Sequence, residues 1–227
     1  MIGNYENIIL FIIVIIVSCY FLFRNKHKTV KFKNILTKDE CQDLINTASK
    51  IKFDTTDDSV DARPVYQIDI LRDKEIINKE IWKDKILPIY NNKLKPLLSK
   101  LPWTSGEKLL LNWVFIKRYM KSERTHLRSH FDSNFFTFNI LLSDKKDFKG
   151  GDLYIFDNYH SNKYKNIIDL TLPEHDAFIK TMGKNLPVVK DYDQGDILSF
   201  IGENHLHGTL PVYEGERYVL VLFFEIV

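Results

Sequence analysis

His130-Phe131-Asp132 places an imidazole and a carboxylate two residues apart, and in an extended strand residues i and i+2 leave the backbone on the same side. Such a pair can grip one metal ion, and a second imidazole from another strand would complete a two-His, one-carboxylate set. That donor set leaves three coordination positions open and suits a non-haem Fe(II) that activates oxygen. The later sequence offers His207, followed by Pro211 and Arg217, as the second imidazole; His205, which would share a strand face with His207, is the alternative. Arg217 heads the run RYVLVLFFEIV with Val219, Val221 and Phe223 on its own face. A guanidinium at the head of such an apolar face is costly unless an anion meets it.

The elements that would carry these residues are short β-like runs from Leu109 onward: LLLNWVFIKRYM, FFTFNILLS, GGDLYIFD, GDILSFI and ERYVLVLFFEIV. Separated by Gly, Asp and Asn, they predict an antiparallel sandwich or barrel, best described as a double-stranded β-helix or jelly roll with a catalytic core at about 109–227. Alternation assigns Phe136, Phe138, Ile140 and Leu142 to one face and Thr137, Asn139 and Leu141 to the other. Polar Thr and Asn within an apolar strand call for partners or water, so the second face is expected to line a wet pocket. Upstream, Thr37 and Glu40 form a capping box ahead of a predicted helix at about Lys38–Lys50. A loop follows over Phe53–Pro64, then a second helical region at about Asp73–Leu98 interrupted at Pro88. The fold class expected is therefore α+β, with flanking helices outside the β core.

The chain has 227 residues and 44% hydrophobic content, enough for one domain and an appendage. The organisation expected is an N-terminal tail at 1–6, a single transmembrane helix at 7–23, a basic juxtamembrane linker at 24–33, and the folded domain from Asn34 to Val227. Residues 7–23 carry no charge and, at about 1.5 Å per residue, just reach across a hydrocarbon core of roughly 30 Å as a helix, helped by flanking residues that snorkel. The preceding segment has no Lys or Arg and no small-x-small cleavage pattern follows, which argues against a signal peptide. Arg24, Lys26, Lys28, Lys31 and Lys33 then bias the domain toward the cytosol. Cys19 lies in the apolar span and Cys41 stands alone in the domain, so no disulfide is expected there. Without those five residues and Glu6, the totals of 32 basic and 30 acidic side chains become 27 and 29, a near-neutral domain with no footprint for nucleic acid.

Taken together, FIKRYMKSERTHLRSHFDSNFFTFNILLS, FKGGDLYIF and GDILSFIGENHLHGTLPVYEGERYVLVLFF resemble the 2-oxoglutarate- and Fe(II)-dependent dioxygenases of the prolyl 4-hydroxylase and procollagen lysyl hydroxylase group. The similarity spans about Phe115–Phe224, with a weaker match at LTKDECQDLI. It implies that His130, Asp132 and His207 ligate iron, the Pro and Arg spacing favouring His207 over His205. It implies too that Arg217 binds the distal carboxylate of 2-oxoglutarate and that Tyr119 and Asn139 line the cosubstrate pocket. Fe(II), 2-oxoglutarate, O2 and ascorbate are the implied cofactors. The implied reaction is hydroxylation of a peptidyl side chain, lysyl first and prolyl second, on a protein or peptide substrate that could be collagen-like.

Bland readings stand beside these. Tyr119 could be a core aromatic and Asn139 a structural amide, while His27 is juxtamembrane and surface exposure is the default for His126, His160 and His175. A non-catalytic, cupin-like metal-binding module and a metal-dependent hydrolase are the rival functions. The resemblance places the domain in a secretory lumen, whereas the charge bias places it in the cytosol. The segment 158–194, longer than the corresponding stretch in compact members of the group, could be a lid that shapes substrate access.

Overall fold

The computed structural model describes residues 29–227. The predicted membrane helix at 7–23 and His27 lie outside them, and among the described residues no helix is long and apolar enough to cross a membrane.

The first element is a strand, β1 (Val30–Phe32), inside the stretch read as a basic linker. It pairs with β9 (Ile197–Ile201), and the flanking Lys33 reaches the buried Asp196 carboxylate at 2.6 Å while Lys31 donates to the Lys190 and Asp191 carbonyls. These two lysines are thus engaged by the folded domain. Helix α1 (Lys38–Ala48) starts at the predicted box: the Glu40 N–H donates to the Thr37 hydroxyl at 3.2 Å and the Thr37 N–H to the Glu40 carboxylate at 2.7 Å. Cys41 lies on its buried face, where burial pushes the thiol up to about 12.

The second helical region begins later than the sequence reading placed it. Residues around Asp73 turn a hairpin between β2 (Gln67–Arg72) and β3 (Glu75–Ile76), two strands the apolar spacing did not reveal. Helix α2 (79–98) then starts at Asn78, whose side chain accepts from the Ile81 N–H at 3.0 Å. It runs through Pro88 instead of breaking there. A proline ring collides with the carbonyl four residues back, and the chain responds by widening the turn before each proline. The Leu87 N–H bonds the Trp82 carbonyl ahead of Pro88, and the Lys95 N–H bonds the Tyr90 carbonyl ahead of Pro96, each five residues back.

Nine further strands and α-helices follow among the described residues. They are β4 (Leu109–Met120), β5 (Leu127–His130), β6 (Phe136–Leu141), β7 (Phe148–Gly150), β8 (Leu153–Ile155), α3 (Asn158–Tyr164), α4 (Leu172–Met182), β10 (His207–Thr209) and β11 (Val212–Ile226). An antiparallel sheet runs β1-β9-β6-β11-β4-β2-β3, with β7 pairing the start of β11, and a smaller one runs β5-β10-β8. Two antiparallel sheets flanked by helices agree with the expected jelly-roll core. One face of the large sheet, with Phe136, Phe138, Ile140, Leu220, Leu222 and Phe224, packs on α1 and α2. The other face carries Trp113, Phe115, Lys117 and Tyr119 of β4, Thr137 and Asn139 of β6, and Arg217, Val219, Val221 and Phe223 of β11, all lining a cavity of about 570 Å³ shared with the small sheet. The alternation read from FFTFNILLS and RYVLVLFFEIV is the alternation observed.

Candidate metal centre and its pocket

β5 ends at His130 and β10 begins at His207, and the antiparallel register makes these two residues direct partners. Their rings lie with centroids 4.3 Å apart. Asp132 sits just past the end of β5, in a turn held by its N–H to the Gly202 carbonyl at 3.3 Å, so the pair converges without a continuous strand through Asp132. His130 Nε2 is 3.4 Å from Asp132 Oδ1, and His207 Nε2 is 3.6 Å from Asp132 Oδ2. The ligand atoms of all three lie within 4.8 Å of one another. Adjacent donors on a metal with bonds of about 2.1 Å sit roughly 3 Å apart, so this trio fits one ion with small closing movements.

Hydrogen bonds fix which atoms face the centre. His130 Nδ1 lies 2.9 Å from the Arg128 carbonyl and His207 Nδ1 2.9 Å from the His205 carbonyl. A carbonyl can only accept, so each ring carries a proton on Nδ1 and turns Nε2 toward Asp132. The Thr137 hydroxyl donates to Asp132 Oδ2 at 2.6 Å, and Asn134 Nδ2 donates to that hydroxyl at 3.2 Å. Burial alone would raise the Asp132 carboxyl, but the facing His207, with His130 and Thr137, outweighs it and holds the group at about 2. Burial pushes the His207 imidazole down to about 4 against the pull of Asp132. An ionised Asp132 and a neutral His207 are ligand states that suit a divalent cation. His205 is fully buried, bonded through Nδ1 to the Ile201 carbonyl, and lies outside the trio; its carbonyl instead orients His207.

Arg217 is 2% exposed and enters the same cavity, beside Tyr119 on the neighbouring strand, whose ring its guanidinium carbon overlies at 5.5 Å. Among the described residues no carboxylate lies within ion-pair distance of it. Burial lowers its pKa against the opposing pull of Tyr119, Tyr192 and Asp152, yet a guanidinium stays protonated in proteins, so a fixed positive charge faces the cavity with no carboxylate in contact among the described residues. A dicarboxylate chelating at the trio with its far end toward Arg217 would answer that charge, and the donor set and the lone guanidinium both fit Fe(II) and 2-oxoglutarate. Asn139 lines the cavity and accepts at Oδ1 from the Tyr192 hydroxyl at 2.9 Å.

Two glycines make room for these side chains. Gly151 has φ +67°, and a Cβ there would lie 2.8 Å from Arg217 Cδ; at Gly208 a Cβ would lie 2.2 Å from the Tyr154 hydroxyl.

Several contributors escaped the sequence reading. Tyr192 and Ser129 carry no spacing signal, whereas Thr137 had one, as a polar residue in an apolar strand. The loop before β2 was read only as polar, yet Asp54, Asp57 and Asp58 line the cavity mouth. Asp58 clamps that loop to Lys117 at 2.6 Å and to Arg124 at 3.4 Å, all three buried. His126 and His175, assigned to the surface by default, are buried, while His160 is exposed.

No protein-family model and no curated protein sequence matches the chain. Solved structures do. An oxidoreductase of the 2-oxoglutarate-Fe(II) oxygenase family from Burkholderia pseudomallei aligns over 87% of this chain and 84% of its own at 15% identity and a TM-score of 0.60. This chain has the 2-oxoglutarate-Fe(II) oxygenase fold. A viral collagen prolyl hydroxylase from Paramecium bursaria Chlorella virus 1, solved with 2-oxoglutarate, aligns over 88% of this chain and 96% of its own at 16% identity and a TM-score of 0.55. A prolyl hydroxylase from Trichoplax adhaerens, in complex with a hypoxia-inducible-factor oxygen degradation domain peptide, shares the oxygenase fold over 88% and 85% at 14% identity and a TM-score of 0.57.

Proposed function

We propose that this chain is a 2-oxoglutarate- and Fe(II)-dependent dioxygenase that hydroxylates a peptidyl side chain, and that residues 7–23 anchor it in a membrane. The observation that carries the reading is the buried Arg217 guanidinium, without a carboxylate partner among the described residues, in the cavity that also holds His130, Asp132 and His207. His130, Asp132 and His207 hold the iron, Arg217 takes the distal carboxylate of 2-oxoglutarate in a bidentate grip, and Tyr119 and Asn139 line the cosubstrate's side of the pocket. Bound there, Fe(II) with 2-oxoglutarate supplies the oxidising power that attacks an unactivated C–H bond. The balance is one 2-oxoglutarate and one O2 consumed for one succinate, one CO2 and one hydroxylated side chain, with ascorbate keeping the iron reduced.

Lysyl hydroxylation is the first reading of the acceptor, on the HGTLPVYEGERY and FTFN segments, and prolyl 4-hydroxylation the second, favoured by the prolyl hydroxylases among the structural neighbours. A neighbour holding a peptide supports a peptide acceptor in either case. A structural zinc module is disfavoured because such sites usually close with four protein ligands, and the cluster among the described residues has three. Incubation with Fe(II), 2-oxoglutarate, ascorbate and O2, followed by mass spectrometry of Lys- and Pro-containing collagen-like peptides, tests the assignment. A gain of one oxygen on Lys supports the first reading, on Pro the second. Neither product, with no succinate formed, removes the proposal.

A further inference from the structure

The segment 158–194 is tied to the strand that carries the first metal ligand. Arg128, on β5 two residues before His130, is 7% exposed and directs one guanidinium nitrogen, Nη2, at three backbone carbonyls: Ile167 at 3.2 Å, Ile168 at 2.6 Å and Leu170 at 2.6 Å. These carbonyls lie at the end of a tight helical turn (Lys165–Asp169), where chain ends otherwise leave acceptors unsatisfied. The next residue, Ser129, donates its N–H to His175 Nε2 of α4 at 3.0 Å. The segment also has its own small core, with Ile167 and Leu186 buried against Tyr154, Phe156 and Leu206, and it leaves by pairing Val188 with Tyr154 of β8. Arg128 therefore serves two neighbours, its carbonyl meeting His130 Nδ1 and its side chain fixing the turn.

Held this way, the turn presents Ile168 and Asp169, both exposed, at the mouth of the metal cavity. Asp169 has no cationic partner among the described residues, and the same holds for Asp54 and Asp57, which line the same cavity. We infer that the segment 158–194 is a pre-formed wall of the acceptor site, positioned by Arg128, and that Asp169 on it selects acceptors carrying positive charge at the mouth. The acceptor role of this wall rests on the proposed oxygenase function. The wall replaces the expectation of a lid with a fixed element: a lid needs few tertiary ties, and this segment has a buried cation, a buried imidazole and an apolar core holding it in place.

Hydrogen exchange on the full chain tests the wall directly, with no turnover required. Amides of 165–171 are expected to be protected in the free protein and unchanged on adding a collagen-like peptide. In Arg128→Met, or Arg128→Lys if the first variant folds poorly, protection is lost there while β6 stays protected. Fast exchange in the free protein, or protection gained only with peptide, would overturn the wall in favour of a lid. Selection is read from a fluorescein-labelled collagen-like peptide bearing Lys and the same peptide bearing norleucine, by anisotropy. The unaltered protein is expected to favour Lys about fivefold, the ratio that ~1 kcal/mol gives. Asp169→Asn should bring the ratio near one and Asp169→Lys should invert it; a ratio that ignores both variants overturns the role of Asp169. Succinate release by the unaltered protein reports on the oxygenase reading separately.

Discussion

Replacing Arg217 with Met should make the ligand-free protein more stable and at the same time blind to 2-oxoglutarate. The guanidinium is 2% exposed, lies over Tyr119 at 5.5 Å and has no carboxylate partner among the described residues. A buried charge with no carboxylate in contact, and only the more distant pull of Asp152 and the flanking tyrosines, costs several kcal/mol, and Met restores much of the side chain's volume without that penalty. Set against a lost cation-aromatic contact of about 0.5–2 kcal/mol, a net gain of about 1–2 kcal/mol is expected, or about 2–8 °C in melting temperature for a domain of this size. Ligand moves the two proteins apart. At a hundredfold excess over Kd, 2-oxoglutarate should stabilise the unaltered protein by about 2.7 kcal/mol, or about 5–11 °C, and the variant by nothing measurable. Thermal melts with Zn(II) in place of iron, with and without 2-oxoglutarate, read both numbers. A variant that melts lower than the unaltered protein and still shifts with 2-oxoglutarate would show that the guanidinium is bonded within the protein and unnecessary to the ligand.

Thr137→Val keeps the shape and removes the hydroxyl that reaches Asp132 at 2.6 Å, so metal affinity by Co(II) titration should fall about 10- to 100-fold, with Thr137→Ser close to normal. Gly208→Ala puts a methyl 2.2 Å from the Tyr154 hydroxyl on the residue after His207; a melting temperature lowered by several degrees and weakened metal binding are expected, and unchanged values would mean β10 yields easily. Acid should destabilise the metal-free protein early. His207, lowered to about 4 by burial, takes up a proton on unfolding at any pH between there and its ordinary value near 6.5. Stability is therefore full above about 6.5 and falls as pH drops toward 4, by about 3 kcal/mol from this residue, with buried His126 and His175 acting in the same direction. Asp132, held near 2, adds its own loss only below about 4. A melting temperature flat from pH 7 to 5 would contradict this.

What could be read from the sequence was whatever depends on local alternation or fixed spacing. His130 and His207 meet as register partners of two short strands, while Asp132, two residues past His130, is brought in by its N–H bond to the Gly202 carbonyl and by the Thr137 hydroxyl, which the spacing alone does not show. Thr137, Asn139 and Arg217 were visible as polar residues on strand faces that otherwise bury Leu, Val and Phe. The hairpin of β2 and β3 stayed hidden because its turn, at Asp73 and Lys74 with φ 50° and 71°, uses non-glycine residues in the left-handed region and carries no Gly or Pro marker. Pro88 misled for a related reason: one widened turn absorbs the ring, and periodicity alone does not show that. The burial of His126 and His175 and the clamp of Arg128 depend on contacts between distant segments, such as Ser129 to His175, which no local pattern records. β1 is legible only through its partner β9, since VKF alone is too short to be a signal.

On the proposed function, three side chains hold one ferrous ion and a dicarboxylate bridges it to Arg217. Anaerobic titration of the protein with one equivalent of Fe(II), followed by 2-oxoglutarate, measures this directly through the visible absorption band that chelation produces. The band should rise to saturation at one 2-oxoglutarate per protein and be absent in Asp132→Ala. No band in the unaltered protein, or an undiminished one in Asp132→Ala, would contradict the account.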